Sequence, residues 1–249
     1  MNNRYWKGAA AECIGPLHLR QNLPMQDSHR IKFLKDGFIA VVSDGLGSKK
    51  HSDFGSDITC KFFIKSAKKF CNQKNKSIKK MLKCFYFSWL NAAGHTNYGI
   101  KECSATLLGV ICLKKKMYLV RLGDGMIMCL ARTSEEASEK KSNAQNVLMS
   151  DIKEESFSNI TNALGPGVKF SDFEIRTIDS TTIKTVFLCT DGISNDLQKG
   201  SAEQFVKDLS NQYNQNTSKE IAIDMKHWIT NWPVPRHSDD KTAVFVTRV

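Results

Sequence analysis

Apolar residues recur along this chain in two rhythms, and the switches between them outline its organisation. Residues 37–43 (GFIAVVS) are a continuous apolar run rich in β-branched side chains that stops abruptly at Asp44-Gly45. A buried strand delivering its last residues to a loop has this form. Residues 54–70 then space Ile58, Phe62, Ala67 and Phe70 among lysines, which is closer to helical than to alternating spacing. A second helix is predicted over 78–93, where Met81, Leu82, Phe85, Trp89 and Ala92 share a wide apolar face closed by Gly94.

Short apolar runs follow at 104–113, 117–122 and 126–131, punctuated by Lys114-Lys115-Lys116 and by Gly123-Asp124-Gly125. Their spacing predicts an antiparallel meander. Residues 132–158 are polar and without periodicity, which predicts a surface insertion and no core element. Strands are predicted again at 173–178, 185–189 and 243–249, and helices at 201–209 and 218–228. Strands with helices inserted in blocks argue for an α+β fold, with two sheets packed face to face and helices outside.

Four acidic steps lie directly beside these strand-like runs. Asp44-Gly45 follows FIAVVS, Asp124-Gly125 follows MYLVRLG, Asp191-Gly192 follows VFLCT, and Asp239-Asp240 precedes KTAVFVTRV. Carboxylates that converge outside sheet ends repel one another unless cations sit between them. Oxygen-only ligands select hard divalent ions such as Mg²⁺ or Mn²⁺. An Asp-Gly step is equally an ordinary turn, so on their own these residues leave turn and metal site both open.

Composition narrows the context. The 249 residues carry a formal charge of +11, and eleven lysines fall between Lys49 and Lys83 against only Asp53 and Asp57. No nucleic-acid recognition motif accompanies that charge, so neither nucleic acid nor membrane is the expected partner. The region reads as the solvated face of two helices, or as a surface that steers acidic phosphopeptides. Eight scattered cysteines without a C-x-x-C pair read as buried free thiols in a reducing compartment. With no apolar leader and no run of about 18 apolar residues, the expected location is cytoplasmic.

Taken in order, Gln26-Asp27-Ser28, VVSDGLGS (41–48), CSATLLGVI (103–111), RLGDG (121–125), NITNALG (159–165), FLCTDGISNDL (187–197) and DDKTAVFV (239–246) resemble protein phosphatase 2C. The LPMQDS form is similar to a compact bacterial branch of that family. The resemblance spans about residue 12 to the C-terminus. It implies one catalytic domain over 1–249, a four-layer α-β-β-α sandwich of two antiparallel sheets, with a metal cleft at one end. The polar insertion, at about 132–165, falls where the family has a flap beside the active site.

The implied reaction is hydrolysis of phosphoserine and phosphothreonine in protein substrates, within a Ser/Thr kinase system. The implied cofactors are two Mn²⁺ or Mg²⁺ ions, with a weaker third. Carried over by motif, Asp44 would bridge the two ions and the Gly45 carbonyl would bind one of them. Asp191 and Asp239 would hold the other ion, and Asp124 with Asp191 the third. Thr242 sets the register that makes Asp239 the ligand and Asp240 its neighbour. Asp27 would order waters one layer behind. Two cations about 3.5–4 Å apart lower the pKa of a shared water and orient in-line attack.

The chain departs from the family at the phosphate-binding end. Asn22 stands where many relatives have an arginine, which leaves His18 and Arg20 as the substrate-binding candidates. Gln26 replaces a glutamate, and Leu46 stands where animal members place a histidine. A second reading follows from these changes: a catalytically weak module on the same fold, binding a phosphoprotein or kinase partner.

Overall fold

A strand that is apolar on both faces is stable only with a packed layer on each side. The computed structural model, which describes residues 5–133, 145–150 and 162–249, supplies those layers. Along the chain come β1 (Trp6–Cys13), α1 (Pro16–Gln21), β2 (Ser28–Leu34), β3 (Gly37–Ser43), α2 (Ser52–Cys71) and α3 (Ile78–Gly94). Then follow β4 (Leu107–Cys112), β5 (Met117–Leu122), β6 (Met126–Ala131), β7 (Val147–Ser150), β8 (Glu174–Ile178) and β9 (Ile183–Cys189). The chain finishes with α4 (Asp191–Ser194), α5 (Ala202–Gln212), α6 (Ser218–Thr230) and β10 (Lys241–Arg248). Among the described residues the strands form two five-stranded antiparallel sheets, in orders β1-β10-β9-β6-β7 and β2-β3-β4-β5-β8.

Period-two alternation inside each apolar run sorts its side chains between layers. Phe38, Ala40 and Val42 of β3 meet Leu188, Val244 and Val246 of the other sheet in the central core. Ile39 and Val41 face outward to Phe63 and Phe70 of α2 and to Phe85 and Trp89 of α3. On the opposite side Phe187 and Phe245 meet Val206 and Leu209 of α5 and Ile221 and Met225 of α6. The result is the α-β-β-α sandwich, and the four long helices fall where the apolar spacing predicts them.

Three features differ from the sequence expectation. The predicted meander breaks after β5, because β6 pairs with β7 and β9 in the other sheet. Gly123 and Gly125, at φ 96° and 105°, turn the chain across the sandwich at Asp124 in a conformation that disfavours side chains with a Cβ. Next, Val147–Ser150 is an edge strand that buries Met149, although residues 132–158 read as a polar insertion. A four-residue strand is too short for a periodic signal. The rest of the expected flap, residues 134–144 and 151–161, lies outside the described residues.

Finally, β1, α1 and β2 carried no clear pattern. β1 is built of small residues because α6 packs across Ala9 and Ala11, and a Cβ at Gly8 would stand 2.1 Å from the Phe245 carbonyl oxygen.

β4 and α2 also approach closely, since a Cβ on Gly109 would reach within 2.3 Å of the Phe63 ring. Gly109→Ala should therefore destabilise the fold by about 1–3 kcal/mol through overpacking. In a Phe63→Leu background the added cost should shrink, and urea unfolding of the double-mutant cycle measures that coupling. Equal costs in both backgrounds would refute the contact as the cause.

Candidate metal cleft

The fold brings the acidic strand ends to one edge of the sandwich. Asp44 follows the last residue of β3, Asp191 lies just after β9, Asp239 just before β10, and Asp124 at the crossover between sheets. They surround a cleft of about 190 Å³ lined by Gln26, Asp44, Gly45, Leu46, Gly47, Asp124, Asp191 and Asp239. Every residue singled out as a metal ligand therefore faces one space.

Backbone hydrogen bonds fix the turns that carry Asp44, Asp191 and Asp239. Asp44 N–H donates to Thr106 Oγ1 at 2.9 Å, and Thr106 N–H donates back to the Asp44 carbonyl at 2.7 Å. Gly45 N–H donates to the Gln26 carbonyl at 3.1 Å. A Cβ on Gly45 would stand 2.6 Å from the Ser52 carbonyl oxygen, so only glycine fits there. Gly192 has a similar reason, because its Cβ would meet the Asp240 carbonyl oxygen at 1.9 Å. The two turns that carry Asp191 and Asp239 thus touch through a glycine. Thr190 N–H donates to the Thr242 carbonyl at 3.0 Å, and Asn195 Nδ2 donates to Asp191 Oδ2 at 3.2 Å.

The paired aspartates at the start of β10 divide their labour. Asp239 lines the cleft, and its Oδ1 accepts from Asp240 N–H at 2.9 Å. Asp240 points the other way and is buried. Its two oxygens accept the backbone N–H groups of Gly15 and Gln26, each at 2.6 Å. His18 Nδ1 lies 3.0 Å from the same carboxylate. Asp240 thereby ties the segment leading to Gln26 and Asp27 onto the turn that holds Asp239. The sequence reading gave Asp240 no role; the only signal was a second acid of opposite strand parity.

Asp27 is buried behind the lining, where Thr190 Oγ1 donates to its Oδ2 at 2.7 Å. His18 is also buried, in contact with Asp240 and outside the cleft lining. Arg20 is exposed on α1 and does not line the cleft either. Asn22 has a structural reason of its own. It ends α1 at φ 52°, a left-handed position that asparagine tolerates better than arginine does.

Charge is badly balanced here. Burial first, then the neighbouring Asp27, Asp191 and Asp239, hold the Asp44 carboxyl well above the ordinary range. Burial likewise raises Asp27, with Asp240 adding to the effect. None of the lining residues is basic. In addition, Gln26 Oε1 is buried without a donor among the described residues. Crowded carboxylates with an idle amide oxygen fit hard divalent cations that keep part of their water. The described residues do not close on one point as a cage of three His, Cys, Asp or Glu. Mg²⁺-type sites, held by few carboxylates plus waters, do not need one.

Two packed antiparallel sheets with helices outside, and an acidic cleft at one edge, define a fold shared with solved phosphatases. The chain belongs to the protein phosphatase 2C family, whose model matches residues 14–232. Similar structures include the catalytic domain of serine/threonine protein phosphatase PstP in complex with two manganese ions. That likeness has 13% identity over 98% of this chain and 99% of that one, at a TM-score of 0.61. Stp1 from Staphylococcus aureus, a serine/threonine phosphatase, shows 14% identity over 96% and 94% of the two chains, at 0.63. RsbX in complex with magnesium shows 12% over 100% and 98%, at 0.59. Identity this low makes each a likeness of fold. No curated protein sequence matches the chain.

The raised carboxyls predict a pH signature. Between the ordinary value near about 4 and the value of about 8 to which Asp27 is pushed, the folded state binds more protons than the unfolded one. Without metal, stability should therefore fall as pH rises through that window. Melting temperature in EDTA should be higher at about pH 5.5 than at about pH 8, and Mn²⁺ should remove or reverse the trend. Asp27→Asn should flatten it in EDTA. A metal-free protein that gains stability over that rise in pH would contradict this electrostatic account.

Proposed function

We propose that the chain is a metal-dependent serine/threonine protein phosphatase that hydrolyses phosphoserine and phosphothreonine in other proteins. The observation that carries this reading is the convergence of Asp44, Gly45, Asp124, Asp191 and Asp239 on one cleft within a phosphatase 2C fold. Asp44, the Gly45 carbonyl, Asp191 and Asp239 would hold two Mn²⁺ or Mg²⁺ ions, and Asp124 with Asp191 a weaker third. Such ions, when bound, supply the Lewis acidity that activates water and the positive charge that neutralises the phosphoryl oxygens.

The remaining work falls to the chain. Asp27, oriented by Thr190 Oγ1, and the unpaired Gln26 Oε1 accept hydrogen bonds from water at the back of the cleft. No histidine or lysine lines the cleft, so the proton for the leaving serine or threonine oxygen comes from solvent there. No cysteine lines the cleft, and burial pushes up the thiols of Cys60, Cys103, Cys112, Cys129 and Cys189, so no thiolate nucleophile faces it.

The bacterial, cytoplasmic setting and the cognate Ser/Thr kinase system belong to the same reading. Among the described residues no helix is long and apolar enough to cross a membrane. The absence of a basic lining residue favours a second reading, a weakly catalytic module that binds a phosphorylated partner.

Hydrolysis of p-nitrophenyl phosphate and of phosphothreonine peptides with Mn²⁺ should be abolished by EDTA. Asp191→Ala should lower kcat/KM at least about 100-fold, and Asp27→Asn about 10–100-fold with weaker Mn²⁺ binding. Metal-independent turnover, or full activity in Asp191→Ala, would refute the mechanism. Calorimetric Mn²⁺ binding without turnover on any phosphopeptide would select the binding module.

A further inference from the structure

Between Ile58 and Lys101 the chain carries ten lysines and neither an acid nor an arginine. Folding places most of these lysines on the outer face of the α2–α3 layer. Lys61, Lys65 and Lys68 of α2 fall at i, i+4 and i+7 and are exposed, while Phe63 and Phe70 of the same helix are buried in the core. Lys80, Lys83 and Phe87 of α3 fall at i, i+3 and i+7 and are also exposed, while Phe85 and Trp89 are buried. Phe87 is therefore an aromatic ring, 67% exposed, on the same helical stripe as two lysines.

This arrangement works against the helices that carry it. Lys61–Lys65, Lys65–Lys69 and Lys79–Lys83 are like-charge pairs at i, i+4, which destabilise a helix. Lys79 and Lys80 occupy the first turn of α3, which has no acid, although the helix dipole favours negative charge there.

The charge is also uncompensated by neighbours. Among the described residues no lysine of α2 or α3 makes an ion pair. Asp57, one turn before Lys61, pairs with Arg30. On the other side the Lys79 ammonium sits 5.0 Å from the Phe170 ring centroid, and the nearby Asp172 accepts from Lys169 N–H at 2.7 Å.

We propose that the outer face of α2 and α3 docks the protein on an anionic phospholipid surface, with the lysines among the headgroups and Phe87 in the interface. Composition selects this occupant. Arginine, with its bidentate fork, is the preferred partner of nucleic-acid phosphates and of carboxylates in partner proteins, and protein interfaces are depleted in lysine. Lysine point charges around an exposed aromatic suit a diffuse layer of headgroups above an apolar boundary. No residue of either helix lines the carboxylate cleft, so docking by this face leaves the cleft open. The sequence expectation was of no membrane partner. Composition could not show that Phe87 shares a face with the lysines, and a peripheral surface needs no crossing helix.

Vesicle co-sedimentation of the full chain tests this, with phosphatidylglycerol–phosphatidylcholine vesicles and with phosphatidylcholine alone. Binding should require phosphatidylglycerol and weaken steeply as salt rises. Lys65→Glu combined with Lys80→Glu should lower the partition coefficient at least about tenfold. The melting temperature of that variant should hold or rise, because two like-charge pairs and a dipole conflict are relieved, which separates lost docking from lost folding. Phe87→Ala should lower partitioning about threefold or more. Lys199→Glu combined with Lys219→Glu makes the same change in net charge, on exposed residues beside α5 and on α6 in the opposite outer layer. It should leave partitioning within about twofold of the native chain. No binding to either vesicle, or equal binding to both, would overturn the proposal. So would equal losses in the two double variants, or Phe87→Ala that binds like the native chain. Tighter binding of duplex DNA or of polyglutamate at equal anion concentration would also overturn it, assigning the face to nucleic acid or to an acidic protein. Neither metal nor turnover enters, so these outcomes stand apart from the phosphatase reading.

Discussion

Repulsion among crowded carboxylates, only some of them buried, is the constraint around which one end of this molecule is organised. Burial and the nearby Asp27, Asp191 and Asp239 raise the proton affinity of Asp44, burial and Asp240 raise that of Asp27 and Asp239, and no lining residue offers a compensating positive charge. Such a cluster is tolerable only if the scaffold holds it and a cation or proton relieves it. The scaffold is stiff. Thr106, Thr190 and Thr242 lock the turns that carry Asp44, Asp191 and Asp239 by backbone and hydroxyl hydrogen bonds. Gly45 and Gly192 let those turns approach to distances that no Cβ permits.

Asp240 extends that organisation beyond the ligands. A buried carboxylate is stable when hydrogen-bond donors surround it, and here two backbone N–H groups do so, with His18 Nδ1 lying 3.0 Å from one oxygen. The effect is mechanical as well as electrostatic, since the segment 15–26 becomes part of the same unit as the Asp239 turn before β10. Loss of the carboxylate would leave two buried N–H groups unpaired as well as one charge removed.

Cations also gather at the opposite strand ends, where Lys114, Arg132 and Arg248 line a second cavity together with Asp36. A sandwich whose strands carry acids at one end and cations at the other sets up a field along its length. That field keeps the cleft attractive to divalent cations.

Much of this was legible in the sequence, for identifiable reasons. Runs such as FIAVV and VFLC are apolar at every position, so they had to be strands between two layers. Long helices with wide apolar faces announced themselves by spacing. The ordered Asp-Gly motifs marked acids that line the cleft, and the register set by Thr242 separated Asp239, which lines it, from Asp240, which does not. What the sequence could not show was set by contacts between distant segments. β1 is alanine-rich because α6 lies across it, and β6 leaves the meander because two left-handed glycines redirect the chain. Asp240's partners are 225 and 214 residues away in sequence, and the cavity beneath Arg248 is assembled from six separate strand ends and turns. Local pattern determined which segments are strands, which are helices and which acids stand at their ends. Tertiary packing alone decided which of those ends share a space, because charges and close backbone approaches act through distance in the folded molecule.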